Sequence, residues 1–163
     1  MGDMSLRSVA RALGVTHTAL LRHFSTKEDL QLQVVAKMRA DFARQLATDE
    51  QLHSAHRASE LLRVQWKRMC EPLEQRQFAL LFEVAGRASR EGGKVAELAQ
   101  STIDDWLGVV SAQLSRSGYA ADEAKTLATL LLAQVRGLQL DLQLTGDRAR
   151  VDRAIEALLE MVD

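Results

Sequence analysis

Ser5-Leu6-Arg7-Ser8-Val9-Ala10-Arg11-Ala12-Leu13-Gly14-Val15-Thr16, continued by Ala19-Leu20-Leu21-Arg22-His23-Phe24, decides how this chain folds. Leu6, Val9, Ala10 and Leu13 fall at i, i+3, i+4 and i+7, the spacing of one apolar helix face. Gly14, which tolerates left-handed backbone angles, stops that helix. Thr16 has the side chain and the position to cap a second short helix. Two short helices about a glycine turn form the unit that sets a recognition helix into the DNA major groove.

Outward from that stretch the helical spacing continues. Ser25 and Glu28 stand in capping-box register and predict a third helix through Val35, Met38, Phe42 and Leu46 that links two halves of the chain. Past a polar connection at 48–54, Leu62, Trp66, Met69 and Leu73 mark another helix, with an interruption expected at Pro72. Phe78, Leu81, Phe82 and Ala85 resume the pattern up to Gly92-Gly93. Val95, Leu98, Thr102, Trp106, Val110 and Leu114 trace a long helix closed by Ser117-Gly118. Two final helices are expected at 121–144 and 148–162, divided by Thr145-Gly146-Asp147. The predicted fold is all-α, with a helix-turn-helix DNA-binding head and linking helix at 1–46 and a second helical domain at 47–163.

Composition narrows the function classes. The 163 residues are 47% apolar, enough for a buried core. Lys and Arg number 21 against 22 Asp and Glu, so the chain does not coat nucleic acid by bulk charge. The charge is uneven, however: residues 1–46 carry seven basic and four acidic side chains, the rest fourteen and eighteen. A single cysteine, Cys70, precludes an internal disulfide and a cysteine-only metal site, and fits a reducing compartment. No apolar run approaches the ~20 residues of a membrane span, and no export pattern begins the chain, so a cytoplasmic location is expected.

Catalytic constellations are thin. Asp104 and Asp105 are adjacent and point about 100° apart on a helix. His53 and His56 share a face with no third ligand at metal spacing, and Cys70 has no neighbouring histidine in sequence. No glycine loop for a phosphate is present. The reading is therefore not an enzyme, with no cofactor and no metal. Two binding classes stay open: a DNA-binding regulator, and a helical dimeric sensor or interaction protein without effective DNA binding.

Over residues 5–30, including Lys27-Glu28-Asp29-Leu30, the sequence resembles the TetR family of transcriptional repressors. The apolar, glycine, phenylalanine and lysine positions fall in step. The resemblance implies double-stranded DNA, in a palindromic operator, as partner, and a small-molecule effector that releases the repressor from it. It implies DNA contacts from Thr16, His17, Thr18, Arg22, His23 and Lys27. It implies that 47–163 is an effector-binding and dimerisation domain with a pocket among the central helices, where Trp66, Met69, Cys70, Phe78, Phe82, Ile103, Trp106 and Gln139 could line it. Of these, Trp66, Met69, Phe82, Trp106 and Gln139 are the site expected, although aromatic and methionine stripes at helical spacing are more often plain core. Arg136 and Gln139, polar among leucines, could orient a ligand or sit at a subunit seam. Leu6, Val9, Ala10, Leu20 and Phe24 are expected in the core of the head.

The chain departs from the family pattern twice. Leu21 stands where a phosphate-contacting tyrosine is usual, which shifts that contact to His23 or Arg22. The family's first helix has no room before Ser5, so the head is expected to be truncated, with Leu6, Leu13 and Phe24 exposing apolar surface.

Homodimerisation through 121–144 and 148–162 is expected from the residues themselves. Leu127, Leu131, Val135, Leu138 and Leu142 form one stripe, and Leu130, Ala133, Gly137, Leu140 and Leu144 a second. One stripe faces the chain's own core. The other requires either a second copy or burial within a larger monomer core, and the small residues favour close helix approach.

Overall fold

The computed structural model describes residues 5–12, 14–50 and 54–161, and among these there is helix and no strand, as the spacing predicts. In chain order the helices are α1 (Leu6–Ala12), α2 (His17–Leu21), α3 (Lys27–Thr48), α4 (Ala58–Met69), α5 (Pro72–Glu91), α6 (Gly93–Arg116), α7 (Ala121–Thr145) and α8 (Arg148–Glu160). Leu13, His53 and Val162, to which the sequence assigns a core position, a paired histidine and a helix end, lie outside the described residues.

Local chemistry sets most boundaries. Gly14 adopts φ 68°, its N–H donates to the Arg11 carbonyl, and the Val15 N–H donates to the Ala10 carbonyl. This pair of bonds closes α1 in the left-handed turn that a Cβ would strain. α3 is capped one residue later than expected. Thr26, not Ser25, accepts from the Asp29 N–H at 3.0 Å, and the Asp29 carboxylate accepts from the Thr26 N–H at 3.0 Å. Both registers offer a hydroxyl and an acid three residues on, and the capped one starts the helix at Lys27.

Pro72 also differs from expectation: it occupies the first turn of α5, where its missing N–H costs nothing. α4 has already ended at Met69, so the proline starts a helix and interrupts none. α5 and α6 meet at Gly92, whose φ 70°, ψ −150° serves as the end of one helix and the start of the next.

α7 runs through the middle of the second half and touches α5, α6 and α8. Leu131 and Val135 on α7, Leu114 on α6, Leu62 on α4, and Ile155 and Leu159 on α8 meet in one apolar core. Trp66 on α4 donates its indole N–H to Asp152 on α8 at 2.7 Å, and Arg63 pairs with Glu156 at 2.7 Å. These bonds lock together two helices that are far apart in sequence.

The linking helix has its own anchorage. Val35 is 1% exposed and meets Val84, Ala88 and Val95 from α5 and α6. Four residues on, the Arg39 guanidinium grips both carboxylate oxygens of Asp105 on α6 at 2.5 and 3.1 Å and donates to Ser101 at 3.0 Å. α3 thus carries the head at one end and is fastened to the helical body over its middle.

Candidate functional site

In the head, α1 and α2 pack on each other, and Ala10 and Leu20 are buried between them. Leu6, Val9 and Phe24, expected in this core, are half-buried. Thr16 accepts from the Ala19 N–H at 3.1 Å and so holds the start of α2, as its position predicts. Because Leu20 turns inward, Thr16, Thr18, Arg22 and His23 are left exposed, with His17 half-buried. Five of the six expected DNA contacts are therefore brought together on or beside one short helix.

Lys27 is placed differently. It opens α3 and, with Glu28 and Gln31, lines a hollow of about 390 Å³ against Val84, Ala88 and Gly92-Gly93. It stands at the junction between head and body. Leu21, where the family pattern has a tyrosine, is 41% exposed, and Val15 beside the turn is 44% exposed. Arg7 and Arg11 were not among the sequence candidates, yet both are exposed on α1. Their i, i+4 spacing puts them on one face, a signal the sequence already carried.

The helical body contains a second set of candidates around Trp106. Phe42 from α3 meets the Trp106 ring edge-on at 5.6 Å, Phe78 from α5 lies 6.3 Å away, and the Arg136 guanidinium from α7 sits 5.8 Å above the ring centroid. Two small voids flank this indole, about 40 and 30 Å³, and Phe42, Gln65, Met69 and Trp106 line both. Met69 and Trp106 are thus the two expected ligand residues that share a site.

The other three have different surroundings. The Trp66 indole is engaged by Asp152, which burial pushes upward in pKa but which the hydrogen bonds from Trp66 and Arg148 hold below the ordinary carboxylate range. Gln139, fully buried, accepts from the Gln75 amide at 2.6 Å and faces the Cys70 sulfur at 3.9 Å. Gln75 donates in turn to the Met69 carbonyl at 2.6 Å, so Gln139 belongs to a clamp that fixes the α4–α5 turn to α7. Phe82 stacks at a tilt on Phe78 and does not line the two voids. Ile103 is exposed.

Gln65 was not singled out by the sequence. It is 5% exposed, and among the described residues its amide nitrogen has no hydrogen-bond partner, nor has the Trp106 indole N–H. Its position in Leu61-Leu62-Arg63-Val64-Gln65-Trp66, on the apolar face of α4, was the available signal. Arg136 shares the condition, with Nε and one terminal nitrogen buried and unpartnered. Burial alone lowers its pKa.

A wider groove of about 1060 Å³ lies between α3 and α6, lined by Arg39, Phe42, His56, Asp104, Asp105 and Arg116 among others. Asp105 is committed to Arg39 there, and His56 is exposed. Among the described residues no three His, Cys, Asp or Glu side chains come close enough to hold a metal ion, and no helix is long and apolar enough to cross a membrane.

Residues 1–34 match the model of the family described as bacterial regulatory proteins, tetR family. No curated protein matches the chain in sequence. Among solved structures, a TetR transcriptional regulator from Legionella pneumophila superposes with a TM-score of 0.83 at 18% identity, covering 98% of this chain and 86% of that one. A transcriptional regulator from Rhodococcus sp. Rha1 superposes with a TM-score of 0.78 at 26% identity, covering 97% of this chain and 84% of that one. The head thus matches the tetR family of bacterial regulatory proteins in sequence, and nearly the whole chain shares the fold of these two regulators.

Proposed function

We propose that the chain is a one-component repressor that binds a palindromic operator as a homodimer and leaves it when a small molecule enters the helical body. The observation that carries this reading is the head itself: a capped α2 with Thr16, Thr18, Arg22 and His23 exposed around a buried Leu20. Hydroxyls and imidazoles on such a helix read base edges or phosphates, and arginines hold the backbone. Arg7 and Arg11 on α1 extend the basic surface.

The dimer is supported by α7. Leu130, Leu140 and Leu144 are 56%, 44% and 78% exposed along one side, while Leu131, Val135 and Leu142 on the opposite side are buried. Between the exposed leucines, Ala133 is also exposed, and a Cβ added at Gly137 would meet nothing within 4 Å. Water-facing leucines flanking small residues suit a second α7 brought close, and two-fold pairing presents two heads to two half-sites. The working division is a head with its linking helix at 1–46 and a sensing and dimerising body at 47–163, in a cytoplasmic protein.

Binding of the full chain to its own upstream DNA, titrated at two salt concentrations, tests this. Saturable binding to a palindrome that weakens steeply with salt is the expected result. Equal, weak binding to all sequences removes the regulator reading and leaves a helical sensor or interaction protein.

A further inference from the structure

Among the described residues, four buried side-chain atoms around Trp106 lack a partner, and all are N–H groups. They are the Gln65 amide nitrogen, the Trp106 indole nitrogen, and Nε and one terminal nitrogen of Arg136. A core shaped for stability alone would fill these positions with apolar side chains, because a buried donor without an acceptor loses its hydration and gains nothing. Arg136 also has no ion pair among the described residues, so its charge lies over the Trp106 ring without a counter-ion. Leu132 and Val135, one turn and one residue before Arg136 on α7, wall the more apolar of the two voids together with Leu61, Leu62 and Val110.

We propose that the effector is a small apolar carboxylate. Its hydrocarbon body enters the void between α4, α6 and α7, and its carboxylate accepts from Arg136, the Trp106 indole and the Gln65 amide. The four donors then find acceptors, and the guanidinium its counter-charge. The second void is a poorer seat for an anion, because Asp41 and Glu74 line it and the one cation among its walls, Arg68, is already paired with Asp49. This inference rests on the reading of the body as an effector-sensing domain.

The size of the void gives the site a consequence. About 30 Å³ is one-tenth of the ~300 Å³ that even a small ligand pocket occupies, so the ligand is admitted only as the walls separate. Phe42 is a wall of both voids and stands on α3, the helix that carries the head. A ligand that binds only the widened form therefore favours the displaced position of α3, which is the differential affinity that a switch requires.

The test is calorimetric titration of the full chain with decanoate, cinnamate and 2-naphthoate, each beside its methyl ester. At least one acid is expected to bind, and its ester at least about tenfold more weakly, since the ester keeps the shape but loses the charge. Arg136→Met is expected to erase the difference between acid and ester, while the ligand-free variant melts at the same temperature or higher. Gln65→Leu, which keeps the core filled, is expected to weaken the acid severalfold. The proposal is overturned if no acid binds, if acid and ester bind alike to the unmodified chain, or if both variants bind the acid undiminished. Operator binding measured in parallel separates the two readings. Operator binding without acid binding overturns the carboxylate site alone, whereas acid binding without operator binding supports the site and overturns the regulator.

Discussion

The Cys70 thiol, half-buried where α4 gives way to α5, is pushed up to about 11, chiefly by burial. The nucleophile is the thiolate, so at pH 8 the folded chain holds only about one in a thousand of its thiols in reactive form. Alkylation by iodoacetamide at that pH is expected to run about a hundredfold slower in the folded protein than in urea, where an ordinary thiol titrates near 8.5. Equal rates in the two states would show that the thiol is not buried as described. Asp152 is shifted the other way. Its folded pKa lies below the ordinary range, so its contribution to stability is complete above about pH 4 and fades as pH falls through the folded value. Asp152→Asn is therefore expected to melt lower than the unmodified chain at pH 6 and at the same temperature at a pH below the folded value. Parallel melting curves at both pH values would exclude this role. Gln65 and Gln139 teach a related lesson about legibility. Both are glutamines on apolar helix faces, and nothing in their neighbours separates them. One is satisfied by Gln75, 64 residues away, and the other by no group among the described residues, a difference that exists only once the helices are assembled.

At the scale of the element, α3 is where the proposed reading and sensing would meet. Its cap, its buried Val35 and its bidentate Arg39–Asp105 pair each fix a different part of its length. The pair is well exposed, with side chains 38% and 44% accessible, so solvent screening leaves it little weight in global stability. Its removal is expected to act on coupling. Arg39→Ala should leave the melting temperature within a few degrees and weaken operator affinity about three- to tenfold, with Asp105→Ala giving the same loss and the double variant no more. Additive losses in the double variant would mean that the two residues act separately. The helices themselves were legible because each is written locally, in the spacing of Leu6, Val9 and Ala10, the turn at Gly14 and the cap at Thr16. Where local signals competed, legibility ended. Ser25 with Glu28 and Thr26 with Asp29 are equivalent boxes one residue apart. Pro72 reads equally as a break or a first turn until the end of α4 at Met69 is known.

For the molecule as a whole, the exposed leucines of α7 set the decisive expectation. Leu140→Glu with Leu144→Glu places two like charges on each side of the proposed seam, which a two-fold contact brings together. The variant is expected to sediment as a monomer at micromolar concentration, to keep its helical content, and to lose at least about a hundredfold in operator affinity as the second half-site is no longer held. A dimer that persists would move the subunit contact elsewhere. The opposite stripe of α7 shows how much the sequence could say here: it separated the two faces correctly from leucine spacing alone, since Leu131 is 1% and Leu144 78% exposed. It could not say that Arg136, between the faces, would lie over Trp106.

The Trp66–Asp152 hydrogen bond also orders events in time. α7 meets α6 on one side and α8 on the other, each its neighbour along the chain, and such contacts close short loops quickly. Trp66 and Asp152 are 86 residues apart, and Arg63 and Glu156 are 93 apart. Joining α4 to α8 closes the largest of these loops and carries the greatest loss of chain freedom before any contact rewards it. The docking of α4 on α8 is therefore expected to come late in assembly, and α4 carries Gln65 with it. On the proposed reading, the sensing site would then be completed last, after the surface proposed to pair two subunits has formed.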